Sequence, residues 1–173
     1  MSNLLDVENL WVRFPSRHGV FEAVRGVSFS LGRERLGIVG ESGCGKSTVA
    51  LAIMQYMGKN GAIVGGEIKF MGRDMRTMSE DELRDIRGSR ISMVYQEPMA
   101  SLNPSMLIRE QLNEVLIYHE GLSDEEASKR SIEMLDAVRL PDAERLMDSF
   151  PHQISGGQQQ RVAVARALAS KPD

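Results

Sequence analysis

Residues 40–48 constrain the fold more than any other stretch, because they have the pattern G-x-x-x-x-G-K-S of a phosphate-binding loop. They follow the short apolar run 36–39, which we predict to be a buried parallel strand. The run 48–57 has no Gly or Pro and is rich in Ala, Leu and Met, which predicts a helix. A glycine loop between a buried strand and a helix start is the context in which this pattern binds phosphate groups.

The loop, called the phosphate loop below, supplies most of the candidate binding residues. We expect Lys46 to reach the β- and γ-phosphates of a nucleoside triphosphate and the hydroxyl of Ser47 to bind Mg²⁺. The alternative is a Gly-rich turn that happens to contain a lysine, which the flanking strand and helix disfavour. The predicted nucleotide-binding residues here are Gly40, Ser42, Gly43, Cys44, Gly45, Lys46, Ser47 and Thr48.

Composition excludes several classes of protein. A chain of 173 residues can form one domain, or a compact core with a subdomain, and a net charge of −3 gives no indication of a nucleic-acid surface. The single cysteine, Cys44, excludes an internal disulfide and fits a reducing cytosol. It is either a small filler residue or a thiol sensitive to oxidation or alkylation. No apolar run is long enough to span a membrane and the N-terminus does not resemble a signal peptide, so any membrane role is expected to be peripheral.

The order of elements predicts an α/β core with a helical insert. Loose alternation over residues 4–14 predicts an edge strand or two, and further strands are predicted at 20–31, 67–70 and 90–95. Capping-box patterns predict helix starts at Ser79 and Ser123, and Gly88 is expected to end the first of these helices. Helical patterns cover residues 108–118 and 124–138.

A second glycine motif lies at residues 154–161, before an Ala- and Val-rich helix predicted at 161–169. Ser155 is expected to cap this helix, and Gly156 and Gly157 would leave its first N–H groups open to an anion. Alone, the motif could be an ordinary capping turn. With the phosphate loop upstream, the sequence resembles the ATP-binding subunits of ABC transporters, whose signature is L-S-G-G-Q and in which Ile154 here replaces Leu.

The resemblance covers the whole chain. It implies an α/β P-loop NTPase core with an N-terminal antiparallel β subdomain and a helical subdomain. The expected division is a nucleotide-binding core at 1–98, a helical subdomain at 99–154, and the signature with its following helix at 155–173.

The resemblance also implies roles for residues outside the phosphate loop. Gln96 matches the Q-loop glutamine, a catalytic residue that contacts Mg²⁺ and the attacking water. Phe14 matches the aromatic residue that stacks on adenine, with Phe21 as a rival and core packing as the alternative. The signature residues would contact ATP held by a second subunit; they are Ser155, Gly156, Gly157 and Gln158.

Within the family, residues 40–43, 91–104 and 151–155 resemble the oligopeptide, dipeptide and nickel importers of bacterial inner membranes. This implies ATP and Mg²⁺ as cofactors and a position at the cytoplasmic face of the inner membrane. The implied partners are a second ABC ATPase subunit, identical or different, transmembrane permease subunits and, indirectly, a periplasmic solute-binding protein, with no nucleic acid. Either docking against the permease or core packing accounts for four apolar residues, Met99, Leu102, Met106 and Leu107.

The family's Walker B strand, with its Asp-Glu end, its D-loop and its switch histidine would follow residue 173. We therefore interpret the chain as an N-terminal fragment. Without the neighbouring strand, residues 36–39 are expected to lose a ladder of backbone hydrogen bonds and to expose apolar surface. Two other functions stay open: a nucleotide-binding remnant without ATPase activity, and a non-transport ABC ATPase that acts on DNA or ribosomes.

Overall fold

A computed structural model of the chain describes residues 3–17, 19–97 and 101–173. The chain forms two compact units, Met1–Leu83 and Arg84–Asp173. The domain boundaries at 98 and 154 stay a prediction. In chain order the strands and helices are β1 (Leu5–Ser16), β2 (Gly19–Leu31), α1 (Lys46–Ile53), β3 (Ala62–Phe70), β4 (Arg73–Asp74), α2 (Glu80–Ile86), α3 (Ile108–Glu120), α4 (Asp124–Ala137), α5 (Ala143–Met147) and α6 (Gly156–Leu168).

The first unit is built around one antiparallel sheet with the strand order β2-β1-β3-β4. Strand β1 is internal, because Leu5 pairs with Leu31 on one side and with Phe70 on the other. The prediction of an edge strand for this segment is therefore wrong. Four of its apolar side chains are buried; they are Leu5, Val7, Leu10 and Val12.

Residues 36–39 do not form the predicted buried strand. They have no regular secondary structure, and the side chain of Val39 is 92% exposed. A strand needs a neighbour to bond its N–H and C=O groups, and every ladder among the described residues joins only β1, β2, β3 and β4. The structure thus confirms that this run exposes apolar surface, whereas the predicted strand is not formed.

The second unit is helical, with a core shared by α3, α4, α5 and α6. Leu112 and Leu116 of α3, Leu135 of α4 and Val162 of α6 are fully buried in it. A polar cluster is buried at the same place: Asn113 donates to Ser128 at 2.8 Å and accepts from Ser131 at 2.9 Å. Because the cluster satisfies its own hydrogen bonds, it fixes how α3 packs on α4 at little desolvation cost.

Residues 90–95, the other predicted core strand, also lack a ladder. Ile91 makes a single parallel bridge with Arg87, and Val94 and Tyr95 are exposed. The prediction is wrong for the same reason as for residues 36–39, since the described residues offer this run no strand partner beyond that bridge. The capping boxes, by contrast, depend only on local sequence, and both predicted ones are present.

Candidate nucleotide-binding site

The phosphate loop turns tightly just before helix α1, and Gly45 makes the turn. Gly45 has a φ of +99°, and a Cβ atom at this position would lie 2.6 Å from the backbone oxygen of Ala23 in β2. No other residue type fits such a conformation and such a close approach. The loop therefore lies directly against β2, which fixes its position on the sheet.

Lys46 bends over the loop that precedes it. Its ammonium donates to the carbonyl of Gly40 at 2.8 Å and to that of Glu41 at 2.7 Å, and lies 3.6 Å from the Sγ of Cys44. Both carbonyls belong to the exposed first turn of the loop. The one cation of the loop is thus held against the loop's own backbone carbonyls, and an anion bound in the loop would compete with them for the ammonium.

The remaining loop residues present backbone and hydroxyl groups to solvent. The first helical hydrogen bond of α1 runs from the N–H of Val49 to the carbonyl of Gly45 at 2.9 Å. The N–H groups before it, up to Thr48, belong to the first turn and have no acceptor within the helix. Ser47 is exposed in that turn, and Ser42, Gly43 and Cys44 are exposed in the loop. The arrangement combines free donors, a helix N-terminus and a cation, as phosphate binding requires.

A groove of about 700 Å³ opens beside the loop. One wall is β2, from Phe21 to Phe29, and the other is formed by residues 36–39 and the loop from Gly43 to Lys46. Phe21 is 55% exposed at its rim. The sequence had marked Phe21 as a rival for the adenine contact, and its position in β2 beside the loop could not be foreseen without the hairpin register.

Phe14 pairs with Phe21 across the β1–β2 hairpin but lies outside the groove. It is partly buried, and its ring covers Gly61, where an added Cβ would come within 2.7 Å of the ring. It is not among the residues that line the groove. The predicted stacking of Phe14 on adenine stays a prediction.

The signature residues, 155–158, form the first turn of α6. The Ser155 hydroxyl accepts from the N–H of Gln158 at 3.3 Å, and the Gln158 side chain accepts from the N–H of Ser155 at 2.9 Å. Gly156 and Gly157 are exposed, and an added Cβ on either would meet no atom within 4 Å. The helix starts at Gly156 rather than at 161 as predicted, because this capping box provides acceptors for backbone N–H groups at its N-terminus. The glycines leave the turn open to a large partner.

Gln159 is a residue for which the sequence suggested no role. It is buried behind the signature turn, and its amide donates to the carbonyls of Pro151 at 2.7 Å and Ile154 at 3.2 Å. The 3₁₀ turn Pro151–Gln153 is therefore tied to α6. In the sequence, the only sign of this contact was a glutamine on the buried side of the start of α6.

Gln96 is exposed in the second unit, just before the residues outside the described range. The phosphate loop belongs to the first unit, so the predicted joint action of Gln96 and Ser47 on Mg²⁺ stays a prediction. Met99 lies outside the described residues. Leu102 is buried in the helical core, which favours core packing over docking for this residue, whereas Met106 and Leu107 are partly exposed.

Comparison with known proteins shows the class of protein. The family model described as ABC transporter matches residues 24–173. The chain therefore belongs to the ABC transporter family. Among the described residues, no helix is long and apolar enough to cross a membrane.

Relatives and solved structures agree with this. The oligopeptide transport ATP-binding protein OppD of Haemophilus influenzae is 47% identical over 173 residues, which cover 99% of this chain and 53% of that protein. OppD of Escherichia coli is 48% identical over 98% of this chain and 50% of its own length. The chain spans about half the length of the curated relatives it matches.

Two solved structures resemble this chain in fold. The dimeric ATP-binding cassette MJ0796, in a post-hydrolysis state bound to ADP and Pi, matches with a TM-score of 0.78 and 30% identity over 97% of this chain and 70% of its own. CbiO1 of Clostridium perfringens, part of the ABC transporter complex cbiONQ, matches with a TM-score of 0.71 and 26% identity over 99% of this chain and 63% of its own. The fold is that of the N-terminal part of an ABC ATPase cassette.

Proposed function

We propose that this chain is the nucleotide-binding part of an ATP-binding subunit of a bacterial peptide importer, of the oligopeptide, dipeptide or nickel type. The observation that supports this most directly is the Lys46 ammonium, which is hydrogen-bonded to two backbone carbonyls of the phosphate loop. The identity of 47–48% to OppD proteins supports the transport role.

In this proposal the loop N–H groups and Lys46 bind the β- and γ-phosphates of ATP. The Ser47 hydroxyl and Gln96 are the ligands that the chain offers to Mg²⁺, and an aromatic ring, Phe14 by the family resemblance, stacks on adenine. Hydroxyl and amide oxygens are ligands that Mg²⁺ accepts while it keeps several waters. The bound ion would neutralise charge that develops on the phosphates.

The signature turn is proposed to contact ATP bound by a second ABC ATPase subunit, identical or different. The exposure of Gly156 and Gly157 and the open space above them support a contact with a partner rather than with the turn's own unit. Permease subunits in the inner membrane would couple this pairing to solute uptake, and a periplasmic binding protein would deliver the solute. The subunit would then lie at the cytoplasmic face of that membrane.

Cross-linking tests the pairing. Cys44 is the only cysteine and lies in the phosphate loop, so Ser155→Cys adds one thiol in the signature turn. With a short bismaleimide, we expect Ser155→Cys to give a covalent dimer that depends on ATP and Mg²⁺. Ser105→Cys, an exposed serine of the same unit, is the matched control and should give none. Equal dimer yields with and without ATP, or none for Ser155→Cys, would contradict a sandwich between two copies.

For these 173 residues alone we propose binding without hydrolysis. The sequence has two Asp-Glu pairs, Asp81-Glu82 and Asp124-Glu125, and both lie in the first turn of a helix, where Glu82 caps α2 and Asp124 accepts from Asn113. Neither pair ends an apolar strand, as a water-activating pair would. We expect phosphate release in the presence of ATP and Mg²⁺ to equal that of Lys46→Ala, and a clear excess in a malachite-green assay would refute this.

A further inference from the structure

The peptide group that joins Ile154 to Ser155 is held from both sides. Its N–H donates to the side-chain oxygen of Gln158 at 2.9 Å, and its carbonyl accepts from the side-chain amide of Gln159 at 3.2 Å. The N–H and C=O of a trans peptide point in opposite directions, so the two glutamines hold opposite edges of one plane. This plane sets the direction in which the chain enters α6, and with it the direction that the signature turn faces.

The same side chain also holds the turn that precedes the signature. The amide of Gln159 donates to the carbonyl of Pro151 at 2.7 Å, and Pro151 begins the 3₁₀ turn Pro151–Gln153. Gln159 is 6% exposed, and Ile154 lies in the helical core. Burial reduces the competition from water for both hydrogen bonds. The 3₁₀ turn and the peptide before Ser155 are thus bonded to a single side-chain nitrogen.

The two ends of the Gln159 amide are used unequally. Both hydrogens of its NH₂ group have carbonyl acceptors, whereas its Oε1 is buried and accepts no hydrogen bond from the residues that the structure describes. The two carbonyls decide this orientation, since an oxygen in place of the nitrogen would face two other acceptors. A buried acceptor without a partner carries a free-energy cost, so the amide stabilises this region through its NH₂ group and not through its oxygen.

The exposed side of the signature turn cannot provide such an attachment. Gly156 and Gly157 have no side chains, and an added Cβ on either would meet no atom within 4 Å. The capping box of Ser155 and Gln158 joins residues of the turn to each other. Gln159 therefore supplies, from the buried side, a polar attachment of the turn to the chain before it.

We propose that Gln159 is a positioning residue that orients the signature turn toward ATP on the partner subunit, and that it acts through its NH₂ group alone. The role toward ATP rests on the proposed function. The hold on the peptide between Ile154 and Ser155 depends only on contacts within the second unit.

Amide hydrogen exchange on the whole chain, resolved by NMR without nucleotide, tests this hold. Gln159→Met has a similar length but no donor, so the backbone amides of Ile154 and Ser155 should exchange about tenfold faster. Gln159→Lys has donors and no acceptor, and should keep the exchange of both amides within about twofold of the wild type. Gln160→Met, the same change at an exposed neighbour, is the matched control and should leave them unchanged.

A measurement on the wild type covers the case in which Gln159→Met unfolds the helical unit. The two Nε2 protons of Gln159 should exchange about tenfold more slowly than those of the exposed Gln160, because both are bonded to buried carbonyls. Equal rates for the two side chains would overturn the proposal without any substitution.

Two further results would overturn it. Unchanged backbone exchange in Gln159→Met would show that the turn does not depend on this side chain. Exchange as fast in Gln159→Lys as in Gln159→Met would show that the shape of glutamine matters and its donors do not.

The consequence for pairing is measured in the Ser155→Cys protein. Adding Gln159→Met should lower the yield of the ATP-dependent cross-linked dimer about tenfold, and adding Gln159→Lys should restore most of it. No dimer from Ser155→Cys itself would count against the proposed function, while the exchange rates still decide the hold by Gln159. Equal dimer yields with Met and with Gln at position 159 would overturn the role toward ATP.

Discussion

At the scale of single residues, Gly45 connects the sheet to the phosphate loop. Its backbone approaches β2 so closely that an added Cβ would lie 2.6 Å from the oxygen of Ala23. Since that oxygen belongs to the backbone of a paired strand, it cannot rotate away. The loop would have to move off the sheet, and the donors of α1 would move with it.

Gly45→Ala should therefore weaken ATP binding. A non-glycine residue at positive φ costs about 1 kcal/mol or more, and the clash adds to this, so we expect affinity to fall about tenfold or further. Gly58→Ala is the control, because Gly58 also has a positive φ but an added Cβ there meets nothing within 4 Å. Titration with a fluorescent ATP analogue measures both, and equal affinities for the two variants would contradict the predicted role of the contact.

Residues of the two glycine motifs could be located from the sequence because each motif has fixed spacing. Their contacts with distant residues could not. The approach of Gly45 to Ala23 depends on where β2 lies, and the bonds of Gln159 to Pro151 and Ile154 depend on a 3₁₀ turn that the sequence did not indicate. Local patterns specify residue types, whereas tertiary packing specifies what those residues touch.

At the scale of elements, helix starts were predictable and the core strands were not. The Ser123 side chain accepts from the backbone N–H of Glu126 at 3.3 Å, and the Glu126 side chain accepts from that of Ser123 at 2.9 Å, so the pair needs no other part of the chain. Residues 36–39 and 90–95 have strand-like sequences, but a strand is stable only beside a neighbour. The apolar pattern of both runs was correctly recognised. The sequence did not show whether a neighbouring strand lies beside them, because that depends on distant parts of the chain.

The capping box of α4 predicts a pH dependence. Two hydrogen bonds lower the pKa of Glu126 below its ordinary 4.5. The larger effect comes from the Ser123 hydroxyl and the smaller one from the Ser123 backbone N–H. A lowered pKa in the folded state contributes stability above pH 4.5 that is lost as the pH falls through the folded value.

In Glu126→Gln the free energy of unfolding should therefore fall less steeply as the pH drops below 4.5. The difference should be small because the side chain of Glu126 is exposed. Urea unfolding followed by circular dichroism across that range is the measurement. Glu125→Gln, an exposed neighbour in the same helix turn, should leave the slope as it is. A slope for Glu126→Gln identical to that of the wild type would refute the assignment.

At the scale of the whole molecule, the chain comprises two compact units. The first unit holds the phosphate loop on an antiparallel sheet, and the second holds the signature turn on a helical core. The α/β class, the antiparallel β subdomain and the helical subdomain were predictable from the order of strands and helices and the family resemblance. Residues 36–39, which border the groove, are exposed and form no strand.

The central claim is that the phosphate loop binds a nucleoside triphosphate through Lys46. Its ammonium forms charge-assisted hydrogen bonds, each of which contributes about 1.5–3 kcal/mol, so Lys46→Ala should lower affinity for ATP about tenfold to hundredfold. Lys59→Ala, an exposed lysine of the same unit, is the control. Isothermal titration of the whole chain with ATP and Mg²⁺ should give similar dissociation constants for the wild type and for Lys59→Ala, and one about tenfold to hundredfold larger for Lys46→Ala. Equal affinities for all three proteins would contradict the account.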